Sequence, residues 1–363
     1  MPDKSNSLRV AYAGPFAFPA DDARAQRVNG VALALQHIGC DVLIGTGGSD
    51  GIAKQRFDVQ KLSFSITALN EYPQSIGRLA KLIRIFTWGE NTLSWLSNLV
   101  PQPDVVLLYG GGTAYVRKIL PWCRERRVPL LVDVVEWYQP SHMPGGWLGP
   151  FHWDHELALR FYYPRAGGII AISRYLERYF SSRGCRTLRM PPTLDVKNSP
   201  ARLTVEKGPI TLVYAGFPGK KDLVGNVISA LLQIDPEGKR LRFIIAGPNK
   251  EDILRLPQLA AFKSSGLPSC IKAVGLLSHQ QVVQLVRDSD FVPLLRPPLR
   301  YAQAGFPTKV PESLASGTPV ICNLTSIRTI LISCFVFSEL FTTFRITTIC
   351  VGFNLYWSAF HYL

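Results

Sequence analysis

The sequence predicts an α/β protein built from two doubly wound parallel sheets facing across a cleft, the second of them incomplete. Three observations carry that expectation. Strand-like apolar runs are continuous rather than alternating, as strands buried on both faces require. Helical stretches separate them through most of the chain. The unit also occurs twice: "RVAYAGPF" at 9–16 and "TLVYAGFP" at 211–218 both read as a first strand followed by a turn and a helix.

Taken in order, the first set of strands is expected at 8–14, 41–45, 104–110, 129–138 and 168–173, with helices over 23–38 and 173–182. The stretch 186–208, rich in Pro and polar residues, reads as a linker. A second set of strands follows at 210–216, 242–247, 271–275, 291–295 and 318–323, with helices over 222–234 and 279–288. The expected division is a Rossmann-like domain at 1–195, a second at 196–326, and an atypical apolar tail at 327–363. In open sheets of this kind ligands bind beyond the carboxyl ends of the strands, so the loops of both domains should line the cleft.

The 363 residues are 47% hydrophobic and 18% charged, the balance of a folded chain rather than a disordered one. Lys and Arg number 40 against 26 Asp and Glu, a formal net charge of +14, which suits an anionic partner. The excess is scattered in short groups such as "RKILPWCRERR" at 117–127, with no long basic tail and no common nucleic-acid motif, so nucleic acid is not the expected partner. Seven cysteines are dispersed, none within four residues of another. They read as free thiols of a reducing compartment, not as a zinc set. The start, "MPDKSNSLRVAYAG", has no apolar leader core, and a cytoplasmic location is expected.

Two basic clusters stand at strand ends of the second domain. "GFPTKVPESLASGTPVI" (305–321) places Thr308 and Lys309 at a helix start and Glu312 within the first turn. A lysine there opposes the helix dipole, while free N–H groups at a helix start favour an anion. "AGFPGKKD" (215–222) puts Lys220 and Lys221 after the domain's first strand. Each lysine alone reads equally as a solvated surface charge. Together they are expected to converge on one diphosphate, with Glu312 accepting from sugar hydroxyls.

The spaced elements "YAGFPGKKD", "FIIAGP", "VGLLSHQQVVQLVRDSDFVPLL" and "GFPTKVPESLASGTPVI" resemble the nucleotide-sugar half of family 4 (group 1) glycosyltransferases, which have the GT-B fold. The resemblance spans roughly 8–326 and is most specific in the second domain. Glu312 matches the second of the family's two glutamates, whereas Ala304 stands at the first. Lys221, with Lys220 beside it, matches the phosphate-binding lysine, but Phe217-Pro218 occupy the place of its usual basic companion. The resemblance implies a retaining transfer of sugar from a nucleoside diphosphate to an acceptor hydroxyl, with no cofactor or metal. It implies Glu312 and Lys221 as catalytic, and a donor site of Gly216, Lys220, Lys221, Gly275, Thr308, Lys309 and Glu312. The implied acceptor is a glycan or a lipid-linked molecule, in surface polysaccharide assembly. Two alternatives stand beside it: a nucleotide-sugar epimerase of the same fold, and a disrupted, non-catalytic remnant.

On the acceptor side, "GPFAFPADDARAQR" (14–27) offers Arg24 and Arg27, and "VDVVEWY" (132–138) ends on Glu136, Trp137 and Tyr138, a carboxylate and aromatic faces suited to a sugar. Asp133 reads as buried on its strand. "YGGGTAY" (109–115) is either a close-approach loop or a flexible turn. "HWDHE" (152–156) has metal-ligand residue types without a second group. Ser173 reads as a helix cap. Residues 78–99 carry Arg78, Lys81 and Arg84 on one helical face, which suits an anionic membrane surface at its cytoplasmic side; an ordinary core-packed helix is the other reading.

After "TPVICNLTS" the pattern collapses. Residues 327–363 contain no proline and almost no charge, and read either as incidental sequence after a disruption or as a short membrane-inserting segment. A marginal or aggregating product is expected.

Overall fold

A computed structural model of the chain describes residues 7–20, 22–48, 64–71, 87–193, 208–217, 219 and 221–323. These belong to one compact unit, residues 1–326. The expected domain boundary near 195, residues 78–86 of the basic stretch, Lys220 and the apolar tail lie outside the described residues.

The first sheet has seven parallel strands: β1 (Arg9–Gly14), β2 (Asp41–Thr46), β3 (Ser65–Ala68), β4 (Val105–Tyr109), β5 (Leu130–Val134), β6 (Gly168–Ala171) and β7 (Thr187–Arg189). Their order is β3-β2-β1-β4-β5-β6-β7. Tyr12 on β1 pairs with Ile44 of β2 on one side and Leu107 of β4 on the other, so the apolar run of β1 is covered from every direction. Helix α1 (Ala23–His37) starts where the Asp22 side chain accepts from the Ala25 N–H at 2.8 Å. It lays Ala25, Val28, Val31 and Ala32 on Tyr12, Phe16 and Ile44.

Two strands escaped the sequence reading. β3 is the short edge segment "SITA", and β7 occupies the start of the expected linker. The glycine run is also not a free loop. Gly110, Gly111 and Gly112 take φ of 55°, 100° and 69° and lead from β4 into helix α3 (Gly112–Glu125), after α2 (Glu90–Asn98). The Asp154 carboxylate accepts from the Thr113 N–H at 3.1 Å and from its hydroxyl, while the Gly112 N–H donates to the Tyr163 hydroxyl at 3.2 Å. Asp154 belongs to helix α4 (Pro150–Leu157). Helix α5 (Arg174–Ser181) is capped by Ser173, as expected.

The second sheet repeats the design with β8 (Ile210–Ala215), β9 (Leu241–Ala246), β10 (Ile271–Gly275), β11 (Val292–Leu294) and β12 (Val320–Cys322). β10, β9 and β8 run parallel in that order, and β11 pairs in parallel with β12. A parallel bridge from Leu212 to Phe291, with the Val213 N–H donating to the Phe291 carbonyl at 2.9 Å, joins β8 to the strand entering β11. The strand order therefore reverses between β8 and β11, and the loops leaving these two strands flank the switch point where such sheets hold ligands. The helices of this half are α6 (Val224–Ile234), α7 (Lys250–Leu254), α8 (His279–Arg287), α9 (Arg300–Ala304) and α10 (Lys309–Ala315). Among the described residues no helix is long and apolar enough to cross a membrane.

Candidate functional site

Three glycines end the strands of the second half. Gly216 donates its N–H to the Ala246 carbonyl at 2.8 Å, and Gly247 donates to the Gly275 carbonyl at 2.7 Å, so the strand ends lie side by side. Gly216 has φ of 128°, and a Cβ there would stand 3.2 Å from Cε and Nζ of Lys309. The expected glycines Gly216 and Gly275 thus border the carboxyl edge of the sheet.

Asp222 organises the loops around that edge. Its side chain is 5% exposed and accepts three hydrogen bonds. These come from the Tyr214 hydroxyl at 2.7 Å, Nζ of Lys309 at 2.9 Å and Nε of Arg296 at 2.8 Å. Burial alone would raise its pKa, but Lys309 and Arg296, with the hydrogen bonds from Tyr214 and Lys309, outweigh burial and hold the carboxyl below its ordinary value. Lys309 also donates to the Tyr214 hydroxyl at 3.0 Å and stands 4.2 Å from the ring centroid. Burial lowers its pKa, and Asp222 offsets part of that fall. Of the two lysines expected to converge on one anion, Lys309 is engaged by Asp222 and Lys221 by Tyr138 and Glu136. The Lys309 ammonium is held by Asp222, whose charge answers the cost of burying a cation.

Lys221 faces the other way, toward the first half. Its Nζ lies 3.3 Å from the Tyr138 hydroxyl, 4.5 Å from the centre of that ring and 3.9 Å from Oε1 of Glu136. Between the halves lies a cavity of about 140 Å³. Glu136 and Tyr138 line it from the first half, and Lys221, Arg296, Tyr301 and Thr308 from the second. Desolvation raises the Glu136 pKa against the pull of Lys221, Arg296 and Arg24, although the side chain remains 41% exposed. Arg296 is the residue that sequence reasoning missed. It follows β11 by two positions, at the switch point, and that adjacency to a legible strand was the signal available.

The remaining expected residues divide between the cavity and the interior. Thr308 lines the cavity and precedes α10. Glu312 lies one turn into that helix, half-buried and outside the cavity lining. Burial raises its pKa against His279, a hydrogen bond to Thr308, and Lys309. Arg24 stays at the rim, its Nε and Nη2 on Asp22 at 3.0 and 2.7 Å. Arg27 turns inward: its guanidinium grips Asp133 with contacts of 2.6 to 3.1 Å and donates to the Met190 carbonyl. Asp133 is fully buried and also accepts from Tyr12. Trp137 is likewise interior, 2% exposed, with Tyr179 edge-on at 4.5 Å and its indole N–H on Glu156 at 2.8 Å. Arg27 and Trp137, expected on the acceptor side, are thus core residues.

In the "HWDHE" segment His152 and Glu156 are buried, while Trp153 is exposed. Nε2 of His155 accepts from the Tyr138 N–H at 3.3 Å, and burial lowers its pKa to about 4. Glu156 holds Trp137, Arg160 and Arg300. Among the described residues no group of three His, Cys, Asp or Glu side chains is placed to hold a metal ion. The Asp-x-Asp at 288–290 lies at the opposite end of the strands, where Asp290 accepts from the Thr211 N–H at 2.7 Å and Asp288 from the Gln284 amide.

Helix α9 ties the halves together. Nη2 of Arg300 donates to Glu156 at 2.5 Å and to the Tyr138 carbonyl at 2.9 Å, with the guanidinium 4.7 Å from the Trp137 ring centre. Ser173, beyond capping α5, donates its hydroxyl to the Ala304 carbonyl at 2.7 Å.

Residues 24–192 match the model of the glycosyl transferase 4-like domain. No curated protein matches the sequence. Solved GT-B structures share its fold. The sucrose-phosphate synthase of Thermosynechococcus elongatus aligns with TM-score 0.64 and 14% identity, covering 89% of this chain and 83% of that one. HepE of Anabaena, solved in complex with UDP-glucose, gives TM-score 0.57 and 14% identity over 89% and 82%. The apo form of the lipopolysaccharide outer core galactosyltransferase WaaB gives 0.56 and 15% over 87% and 80%.

Proposed function

From the premise that the chain carries a glycosyl transferase 4-like domain on a GT-B fold, we propose that it transfers a sugar from a nucleoside diphosphate to an acceptor hydroxyl with retention of configuration. The observation that carries this reading is the cavity between the halves, with the Lys221 ammonium at its wall and the Glu136 carboxylate opposite.

The difficult step is departure of the diphosphate as positive charge builds on the sugar ring. Lys221 is the cation for that leaving group, and Thr308, at the same cavity, ties its hydroxyl to Glu312. One such preorganised donor is typically worth about 3–4 kcal/mol of barrier. Glu312, on the helix that follows, is assigned to sugar hydroxyls, and the glycine edge at 216 and 275 leaves backbone open to the nucleotide. No metal or cofactor is assigned a part. The acceptor enters from the first half, past Arg24 and Glu136. The net charge of +14 suits a glycan or lipid-linked acceptor at the cytoplasmic face of an anionic membrane, in surface polysaccharide assembly.

The test is a panel of labelled UDP-, ADP- and GDP-sugars, with and without glycan and polyprenyl-linked acceptors. UDP-glucose comes first because HepE was solved with it. Acceptor-dependent release of diphosphate, lost in Lys221→Ala and Glu312→Ala, supports the reading. Epimerised sugar without acceptor would replace it with the epimerase. Neither product would leave the non-catalytic remnant. That second reading has its own support: Trp147, Leu148, Trp153 and Phe161 are 70%, 92%, 58% and 54% exposed along one stretch of the first half. Such an exposed apolar stretch is an aggregation liability of the kind a disrupted chain carries.

A further inference from the structure

We propose that Arg296 is a second ligand of the donor diphosphate, and that Asp222 is the residue that positions it. The inference rests on the donor-binding reading above.

Arg296 is held at three points. Its N–H donates to Oδ1 of Asn323 at 2.9 Å, and its carbonyl accepts from the Asn323 amide at 2.5 Å. Its Nε donates to Oδ1 of Asp222 at 2.8 Å. The side chain is only 14% exposed, yet it lines the 140 Å³ cavity. Among the described residues neither terminal nitrogen has a hydrogen-bonding partner. A guanidinium carries five N–H donors in a rigid fork that matches paired phosphate oxygens. Here one donor sets the plane and four remain, at the same wall as Lys221.

The charges point the same way. Asp222 is shared between two cations, Lys309 and Arg296, and so leaves the group positive. Lys221 adds another positive charge at the same wall, with Oε1 of Glu136 3.9 Å from its Nζ. A cavity lined with excess positive charge and unfilled N–H donors selects a dianion over a neutral ligand. Loop placement agrees, since Lys221 leaves β8 and Arg296 leaves β11, the two strands at which the order reverses.

Asp222 touches no ligand in this scheme. It fixes the guanidinium through Nε and keeps Lys309 away from the cavity. That makes its role separable from plain electrostatics. Removing a negative charge beside an anion site ought to tighten anion binding; loosening a positioned arginine ought to weaken it.

The experiment is calorimetric titration of the full chain with UDP, ADP and GDP, each compared with its nucleoside. Arg296→Gln keeps a donor toward Asp222 and removes the fork, so it should lower diphosphate affinity about 10- to 100-fold, the range for a lost charge-assisted pair, and leave nucleoside affinity unchanged. Arg296→Lys should not restore it. Asp222→Asn should also weaken diphosphate binding, by roughly tenfold, with melting temperature followed in each variant. A wild-type chain that binds none of the diphosphates overturns the donor reading and this inference with it. Diphosphate binding that Arg296→Gln leaves unchanged overturns the arginine assignment while the donor reading stands. Tighter binding in Asp222→Asn refutes the positioning role alone.

Discussion

Asp222→Ala tests whether one carboxylate holds the second half's strand ends together. The substitution strips Lys309, Arg296 and Tyr214 of a shared acceptor. Removing one partner of a buried ion pair costs about 3–5 kcal/mol. Lys309 and Arg296 side chains are 23% and 14% exposed, so water recovers part of their solvation, and about 2–3 kcal/mol at neutral pH is the working figure. The sign with pH follows from the depressed pKa of Asp222. The stabilisation is complete above the unfolded aspartate value, about 3.9, and is lost as pH falls through the lower folded value. Urea unfolding of wild type and Asp222→Ala at pH 7 and at successively lower pH reads both quantities, as the midpoint shift of the transition. A difference under about 1 kcal/mol at pH 7, against the magnitude for a buried pair, would refute the reasoning. So would a difference that stays constant into strong acid.

Glu136→Gln removes the carboxylate that stands against Lys221. Nucleoside-diphosphate affinity should rise, and its increase with falling pH in the wild type, as the Glu136 carboxyl takes up a proton, should flatten; titration at successively lower pH checks both. His155 is half-buried, and desolvation lowers its pKa to about 4, below the unfolded value of about 6.5. Stability should therefore fall as pH drops between those two values, and His155→Gln should remove that part of the slope in a melting series. Arg300→Ala leaves Glu156 with Trp137 and Arg160 and should lower the melting temperature, corresponding to roughly 1–2 kcal/mol, with faster amide exchange in 300–304.

Much of this architecture was legible because the central strands are apolar on both faces. β1, β4 and β8 are short continuous runs bounded by Gly or Asp; β1 and β4 are buried nearly throughout, and β8 is buried at Leu212–Tyr214. β3 and β7 were not, because each is an edge strand of three or four residues with polar members and a neighbour on one side only. Helix α3 was hidden behind three glycines and an internal proline, Pro121, which local propensity reads as a loop. At the site, Lys221 was legible from its place after a first strand. The partner of Lys309 was not, since Asp222 lies 87 residues away and meets it only through the fold. Arg27 flanks the buried face of α1 and is drawn inward by Asp133, a carboxylate on β5, two strands from β1. Charged residues near a loop read as surface until such a pairing is seen.

Helix α9 is bonded to both halves, to the second by the Tyr301 hydroxyl on the Lys221 carbonyl and to the first through Arg300 on Glu156 and Ala304 on Ser173. A motion that widens the space between the sheets would have to leave this short helix behind or break those bonds. The pivots then fall on its two flanking connectors, 295–299 and 305–308, stiffened by Pro297, Pro298 and Pro307. Those connectors carry Arg296 and Thr308. Arg296, pinned to Asp222 and Asn323, would travel with the second sheet, so each swing would carry the guanidinium toward or away from Glu136 and Tyr138, and breathing and ligand grip would share one axis.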